Sequence, residues 1–190
     1  MKEGYNNGIY FRIKYDFLTH KYYLKNIDEG FGTYIKIDNS IIKEKSIICI
    51  GNSYLAFSYD LRFNNQNNNK TKNYLLLKIF NENKKYEPII LTKENNYYSV
   101  GRTKNADIFI DDNFLSKINC IIYFENGIWK IKDGDQSGNK STNGTWLYAF
   151  EDNEIYDNMI FNQINIIFIV NFLKIICFSN IFLQWNKNTF

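Results

Sequence analysis

The sequence predicts an all-β fold built as a sandwich, and three observations carry that expectation. Tyr and Phe occur 15 and 16 times, Ile abounds, Pro occurs once, and Ala stands only at Ala56, Ala106 and Ala149. That bias suits strands and disfavours helices. Beyond residue 73, short apolar runs alternate with turn signals. No stretch sustains a 3.6-residue period, and many short strands at close spacing read as a sandwich.

Tyr74 to Phe80 opens the series, followed by Pro88 to Leu91, Tyr97 to Val100 and Asp107 to Ile110. Cys120 to Phe124 and Ile128 to Ile131 flank Asn126-Gly127, a hairpin-type turn. In the second of these, Trp129 and Ile131 share one face and Lys130 and Lys132 the other. Thr145 to Phe150, Met159 to Phe161, Ile164 to Val170 and Phe172 to Phe178 complete the set. A window over 159–185 has the apolar content of a membrane span. Asn165, Asn171, Lys174 and Asn180 interrupt it, so it reads as buried strands joined by turns.

Asn64-Asn-Gln-Asn-Asn-Asn-Lys-Thr-Lys72 has no apolar residue and cannot bury anything, so a linker is expected at 64–73. It separates 1–63 from a main segment at 74–180 and a tail at 181–190. The frequent Asn, Ile, Lys, Tyr and Phe are residues that A+T-rich codons encode, so Asn abundance alone carries no functional meaning.

Composition bounds the function. The 23 basic and 20 acidic residues give a net charge of +3, too balanced for a chain that grips a nucleic-acid backbone. A local anion pocket needs only one or two cations. Cys49, Cys120 and Cys177 are odd in number and lack metal-ligand spacing; a reducing compartment, cytoplasm or nucleus, is the expectation. Met1 to Tyr5 leads into no apolar core of a secretory signal. His20 is the sole histidine, in a hairpin tip, so neither a catalytic triad nor a zinc site is indicated. No metal or cofactor is expected, nor any enzymatic reaction.

The chemistry concentrates in 101–145. Gly101-Arg102 ends a strand, and its guanidinium suits phosphate oxygens. Ser116 adds a hydroxyl and Lys117 a softer cation. Ser141-Thr142-Asn143-Gly144-Thr145 supplies another hydroxyl, an amide and a glycine that permits positive φ. Asp111, Asp112, Asp133 and Asp135 stand nearby, so specificity for an anion would come from geometry. Singly, each element has an ordinary structural explanation: a solvated strand end, a capping serine, a hairpin turn.

Together, and in this order, they resemble the forkhead-associated (FHA) domain over about Leu75 to Phe178. The family pattern is Gly-Arg, a strand into an acidic loop, Ser-Arg-x-His-Ala/Cys, an aromatic strand ending in Asp, and Ser-x-Asn-Gly-Thr. Here stand Gly101-Arg102, Asp107-Ile-Phe-Ile-Asp111, Ser116-Lys117-Ile118-Asn119-Cys120, Trp129-Lys-Ile-Lys-Asp133 and Ser141-Thr142-Asn143-Gly144-Thr145. The resemblance implies an eleven-stranded sandwich of the FHA/SMAD-like type that binds phosphothreonine peptides at one end. By position, Arg102, Ser116 and Thr142 would contact phosphate, Lys117 would assist, and Asn143 would bond the peptide backbone. Gly101, Gly144 and Trp129 would be structural. Asn119 replaces the family's histidine, which braces the serine loop, so a looser site is expected. Loop 134–140 is expected to help set the flanking-residue preference.

Residues 8–59 resemble the second half of another such domain, a half-sandwich preceding the complete one. Tyr22-Tyr-Leu-Lys-Asn26 and Thr33-Tyr-Ile-Lys36 parallel Trp129-Lys-Ile-Lys-Asp133 and Thr145-Trp146-Leu147. Asn7, Tyr10 and Phe31 fall where binding residues would be, so this repeat is read as non-binding. Alone it would expose a sheet edge and half a core. Either it packs on the complete domain or the chain is a fragment; the fragment is expected, because domains rarely begin in mid-sandwich.

The function expected is a phosphorylation-dependent adaptor whose partner carries phosphothreonine, with neither nucleic acid nor membrane expected as a partner and the oligomeric state open. The alternatives are a structural or dimerising sandwich without phosphate recognition, the recognition arm of a larger signalling enzyme, and a membrane-anchored protein using 159–185.

Overall fold

The computed structural model describes residues 10–27, 32–59, 74–163, 166–171 and 174–179. Asn7, Phe31, the 64–73 linker and the 181–190 tail lie outside them. Among the described residues there are eighteen strands and no helix, as the composition predicts. No helix among them is long and apolar enough to cross a membrane.

The first six strands are β1 (Phe11–Asp16), β2 (Lys21–Asn26), β3 (Thr33–Ile37), β4 (Asn39–Ile41), β5 (Ile47–Ile50) and β6 (Ser53–Tyr59). Next come β7 (Tyr74–Asn81), β8 (Lys84–Lys85), β9 (Ile89–Thr92), β10 (Tyr97–Gly101), β11 (Ile108–Phe109), β12 (Cys120–Glu125), β13 (Ile128–Asp133) and β14 (Thr145–Tyr148). The last four are β15 (Asn153–Glu154), β16 (Ile160–Gln163), β17 (Ile166–Asn171) and β18 (Lys174–Ser179).

The chain divides into two compact units. The larger spans Ile37–Leu147, and the other combines the described residues up to Lys36 with those from Tyr148 onward. The larger unit holds β4 to β14, which are eleven strands. One sheet runs β11-β10-β12-β13-β4, and the second runs β14-β5-β6-β7-β8 with β9 also on β7. Burial alternates along β6, β7 and β13, the period-two pattern of strands with one face in a core. Phe57, Leu55, Leu75, Leu77, Trp129 and Ile131 supply that core, none more than 2% exposed. Cys49 and Cys120 are buried free thiols. Burial, with the charge of Asp112 second, pushes Cys49 up to about 12; burial and then Asp133 push Cys120 up also. Both therefore stay protonated and act as small apolar side chains.

The compact units do not coincide with segments 1–63 and 74–180. Strands β4, β5 and β6 precede the linker, yet β4 pairs with β13, β5 with β14 and β6 with β7. The chain leaves β6 at Tyr59 and re-enters its antiparallel neighbour β7 opposite, with Tyr59 facing Leu75. Pairing consecutive strands across a modest connection costs little loop-closure entropy.

The smaller unit is completed by the other end of the chain. Its sheets are β1-β2-β15 and β3-β16-β17-β18. Leu24 and Phe161 are fully buried there, and the Phe161 and Phe168 rings stack at 4.7 Å.

The two completing segments are built alike. Lys45 N–H donates to Phe57 O at 3.1 Å, and Asn158 N–H to Val170 O at 2.8 Å. Phe57 N–H returns to Ser46 O, and Val170 N–H to Met159 O, each at 2.9 Å. Lys45 and Asn158 both adopt left-handed backbone, with φ of 63° and 62°. Likewise Thr33 Oγ1 meets Asn26 Oδ1 at 3.1 Å in one unit, and Thr145 Oγ1 meets Asp133 Oδ1 at 2.7 Å in the other. The order of elements is therefore an exchange: each set of late strands serves the unit to which its immediate predecessor does not belong.

Expressed alone, residues 37–147 are expected to unfold in one cooperative thermal transition with a β-type circular dichroism spectrum. A disordered 37–147 beside a cooperatively folded 74–180 would reassign the late strands.

Candidate functional site

Three loops at one end of the larger unit carry the residues singled out by sequence, and backbone hydrogen bonds bring them together. Arg102 N–H donates to Ser116 O at 3.2 Å and Thr103 N–H to Lys117 O at 3.3 Å. This places the Gly101-Arg102 strand end against the Ser116-Lys117 loop. Gly101 is required by that approach: a Cβ there would lie 2.0 Å from Lys117 O.

The third loop joins through Thr142, whose N–H donates to Ser116 Oγ at 2.9 Å. Ser116 Oγ in turn donates to Thr142 Oγ1 at 3.3 Å. Gly144 holds a φ of 80°, the left-handed turn that returns the chain into β14. Asn143 Nδ2 donates to Phe114 O at 2.8 Å, and Trp146 Nε1 to Asn143 O at 2.8 Å. Asn143 is thus clamped by its amide N–H and its main-chain carbonyl. Arg102 and Lys117 are exposed, and among the described residues neither has an ion pair or side-chain hydrogen bond.

Two buried carboxylates hold these loops. Asp133, 3% exposed, accepts from Ser141 Oγ at 2.6 Å, Ser141 N–H at 3.2 Å and Thr145 Oγ1 at 2.7 Å. Asp112, 5% exposed, accepts from Asn52 N–H and Ser53 Oγ at 2.8 Å each, and from Phe114 N–H at 2.9 Å. Asp112 and Asp133 read from sequence as acids beside the site, but they are its internal braces. The alternation Ser141 inward, Thr142 outward follows the same logic, since Ser141 is buried and Thr142 exposed. The Asp112 brace was not legible as such, because its partners Asn52 and Ser53 lie before the linker.

Asn119, fully buried, links two of the loops. Its Oδ1 accepts from Ser116 N–H at 3.3 Å, while Nδ2 reaches Thr145 Oγ1 at 3.4 Å and Gly144 O at 3.5 Å. These bonds span the required gap but lie at the long end of hydrogen-bond geometry. Trp129 is wholly buried in the core of the same unit.

Beside Lys117 a cavity of about 240 Å³ is lined by Tyr97, Ser99, Ile118, Ile121, Asp135, Gln136 and Ser137. Loop 134–140 provides its polar wall. Asp135 is held by Asn139, whose side chain and N–H donate at 2.9 and 3.0 Å and keep its carboxyl below the usual range. Asp107 braces β10 from the other side, accepting from Ser99 Oγ at 2.6 Å and Ser99 N–H at 2.8 Å.

Residues 98–161 match the family model of the FHA domain. This stretch of the chain is similar to the FHA domain. No curated protein and no solved structure matches it. FHA domains are interaction modules that generally bind phosphothreonine, and the match spans the loops bearing Arg102, Ser116, Asn119 and Thr142. It leaves out β4 to β9 of the larger unit and extends beyond that unit's end at Leu147.

Asp133→Ala is expected to remove about 3 kcal/mol of stability, because three donors, two of them buried hydroxyls, lose a charged acceptor. Urea unfolding checks this, and a loss below about 1 kcal/mol would deny Asp133 its bracing role. The Ser99 hydroxyl and N–H hold the Asp107 carboxyl below its ordinary value. A depressed carboxyl stabilises the fold above its unfolded pKa, and that contribution fades as pH falls through the folded value. Asp107→Asn should therefore flatten the acid limb of a stability profile below about pH 4.

Proposed function

We propose that this FHA domain is a phosphorylation-dependent adaptor that captures a phosphothreonine segment of a partner protein. The observation that carries the reading is Arg102, exposed and without an ion pair among the described residues, whose backbone N–H is bonded to the loop that presents the Ser116–Thr142 hydroxyl pair. Asp112, Asp133, Asn119 and Asn143 have internal partners, whereas Arg102 and Thr142 are exposed and Ser116 is half-buried.

Arg102 supplies the charge and can donate two parallel bonds to phosphate oxygens. Ser116 Oγ and Thr142 Oγ1 now bond each other and are free to turn toward a third acceptor. Lys117 adds a second cation at the rim. Asn143, clamped through Nδ2, directs Oδ1 toward a peptide N–H. An unmodified threonine offers this arrangement no charge, so phosphorylation acts as the switch. The wall formed by Asp135, Gln136 and Ser137 places the flanking residue of the peptide in the cavity over Ile118 and Ile121. The long Asn119 bonds favour a modest affinity and are the feature that would also suit a sandwich without phosphate recognition.

Titration calorimetry with a phosphothreonine peptide library against its unphosphorylated counterpart tests the assignment. Arg102→Ala should weaken phosphopeptide binding at least tenfold, about the worth of one charge-assisted bond, with an unchanged melting temperature. Equal affinity of mutant and wild type, or no preference for the phosphorylated peptides, would remove the adaptor reading.

A further inference from the structure

The smaller unit carries a feature unrelated to the phosphate loops. Strands β1 and β2 form a hairpin whose turn presents Phe17 and Leu18, 80% and 94% exposed. They are adjacent and the most exposed large apolar side chains among the described residues. The tip is ordered by its own contacts. Asp16 Oδ1 accepts from Leu18 N–H at 2.9 Å, and Tyr15 OH bonds His20 Nδ1 at 3.0 Å. The Tyr15 ring packs edge-on to Phe17 at 5.0 Å and against Tyr22 at 4.8 Å.

Charge below this apex is one-sided. Over 11–26 the basic residues are Arg12, Lys14, Lys21 and Lys25, and the acid is Asp16. Arg12 stands directly opposite Lys25 across the hairpin, a like-charge pairing that costs stability unless something external uses it. Lys21 is bound to Glu154 at 2.9 Å and Lys14 lies within electrostatic reach of Asp16, so among the described residues Arg12, Lys14 and Lys25 leave the hairpin with an excess of positive charge. Alternation puts Arg12, Lys14 and Lys25 on one face.

We propose that this hairpin docks the protein peripherally on an anionic lipid surface, with Phe17 and Leu18 entering the acyl boundary. Tyr15 and Tyr22 then lie at headgroup level, where amphipathic rings are favoured. Arg12, Lys14 and Lys25 face the negative surface potential. The convex shape decides against a protein partner: two side chains on a narrow turn bury far less than the roughly 600 Å² per side of the smallest stable interfaces. A bilayer accepts such a tip because it closes around it. This is a surface contact and no spanning segment.

Co-sedimentation of the full chain with phosphatidylcholine vesicles, with and without phosphatidylserine, tests the proposal. Binding is expected only with phosphatidylserine and should weaken as salt rises. The double variant Phe17→Ser with Leu18→Ser should lower it more than tenfold, on the order of the transfer of two large apolar side chains. Arg12→Gln and Lys14→Gln should each lower it about fivefold. All these positions are exposed, so circular dichroism should match wild type, and Arg102→Ala should bind vesicles normally. No binding to phosphatidylserine vesicles, unchanged binding by the Phe17/Leu18 variant, or loss in Arg102→Ala would each overturn the proposal. So would a tip whose mutation abolishes self-association in solution while vesicle binding is absent.

Discussion

Two carboxylates withdrawn from water govern the larger unit. A buried carboxylate is tolerable only when hydrogen-bond donors replace its hydration. Asp112 finds its donors at Asn52, Ser53 and Phe114, and Asp133 finds them at Ser141 and Thr145. The loop carrying Ser116 is thereby tied to the β5–β6 turn, and the loop carrying Thr142 to the end of β13. Asp133 N–H donates to Asp38 O at 3.0 Å, so the second brace also leans on the segment before the linker. The geometry offered to an anion depends on residues 38–53, far from it in sequence.

This dependence gives the larger unit a braced floor and a chemically open rim. The braced groups are buried and satisfied, while Arg102 and Lys117 are exposed and have no ion pair among the described residues. Preorganisation of this kind would lower the ordering cost of the proposed phosphopeptide binding, since the Ser116 and Thr142 hydroxyls are already in contact. The hairpin of the smaller unit follows a different economy, with apolar side chains held in water by a tightly bonded turn.

Much of this was legible in the residues. The strands at 74–81, 97–101, 120–125, 128–133 and 145–148 follow apolar alternation and turn signals that act locally. Short pieces such as β4, β8 and β15 carry too few residues for a period to register. The convergence of Gly101-Arg102, Ser116 and Thr142 was visible through family order, and the structure adds the backbone bonds that produce it. Asp112 was legible as a type and not as a brace, because Asn52 and Ser53 become its neighbours only in the fold.

The amino-acid pattern by itself determined the all-β class, the strand-and-turn punctuation and which residues stand on the three loops. Those are decided by side-chain alternation and backbone preference within a few residues. Which late strands complete which unit was decided only by tertiary structure. Segments 39–59 and 153–171 carry the same turn geometry and the same strand spacing, so local forces cannot choose between them. The choice rests on contacts that exist only after folding: β6 against β7, and Asp112 against Ser53.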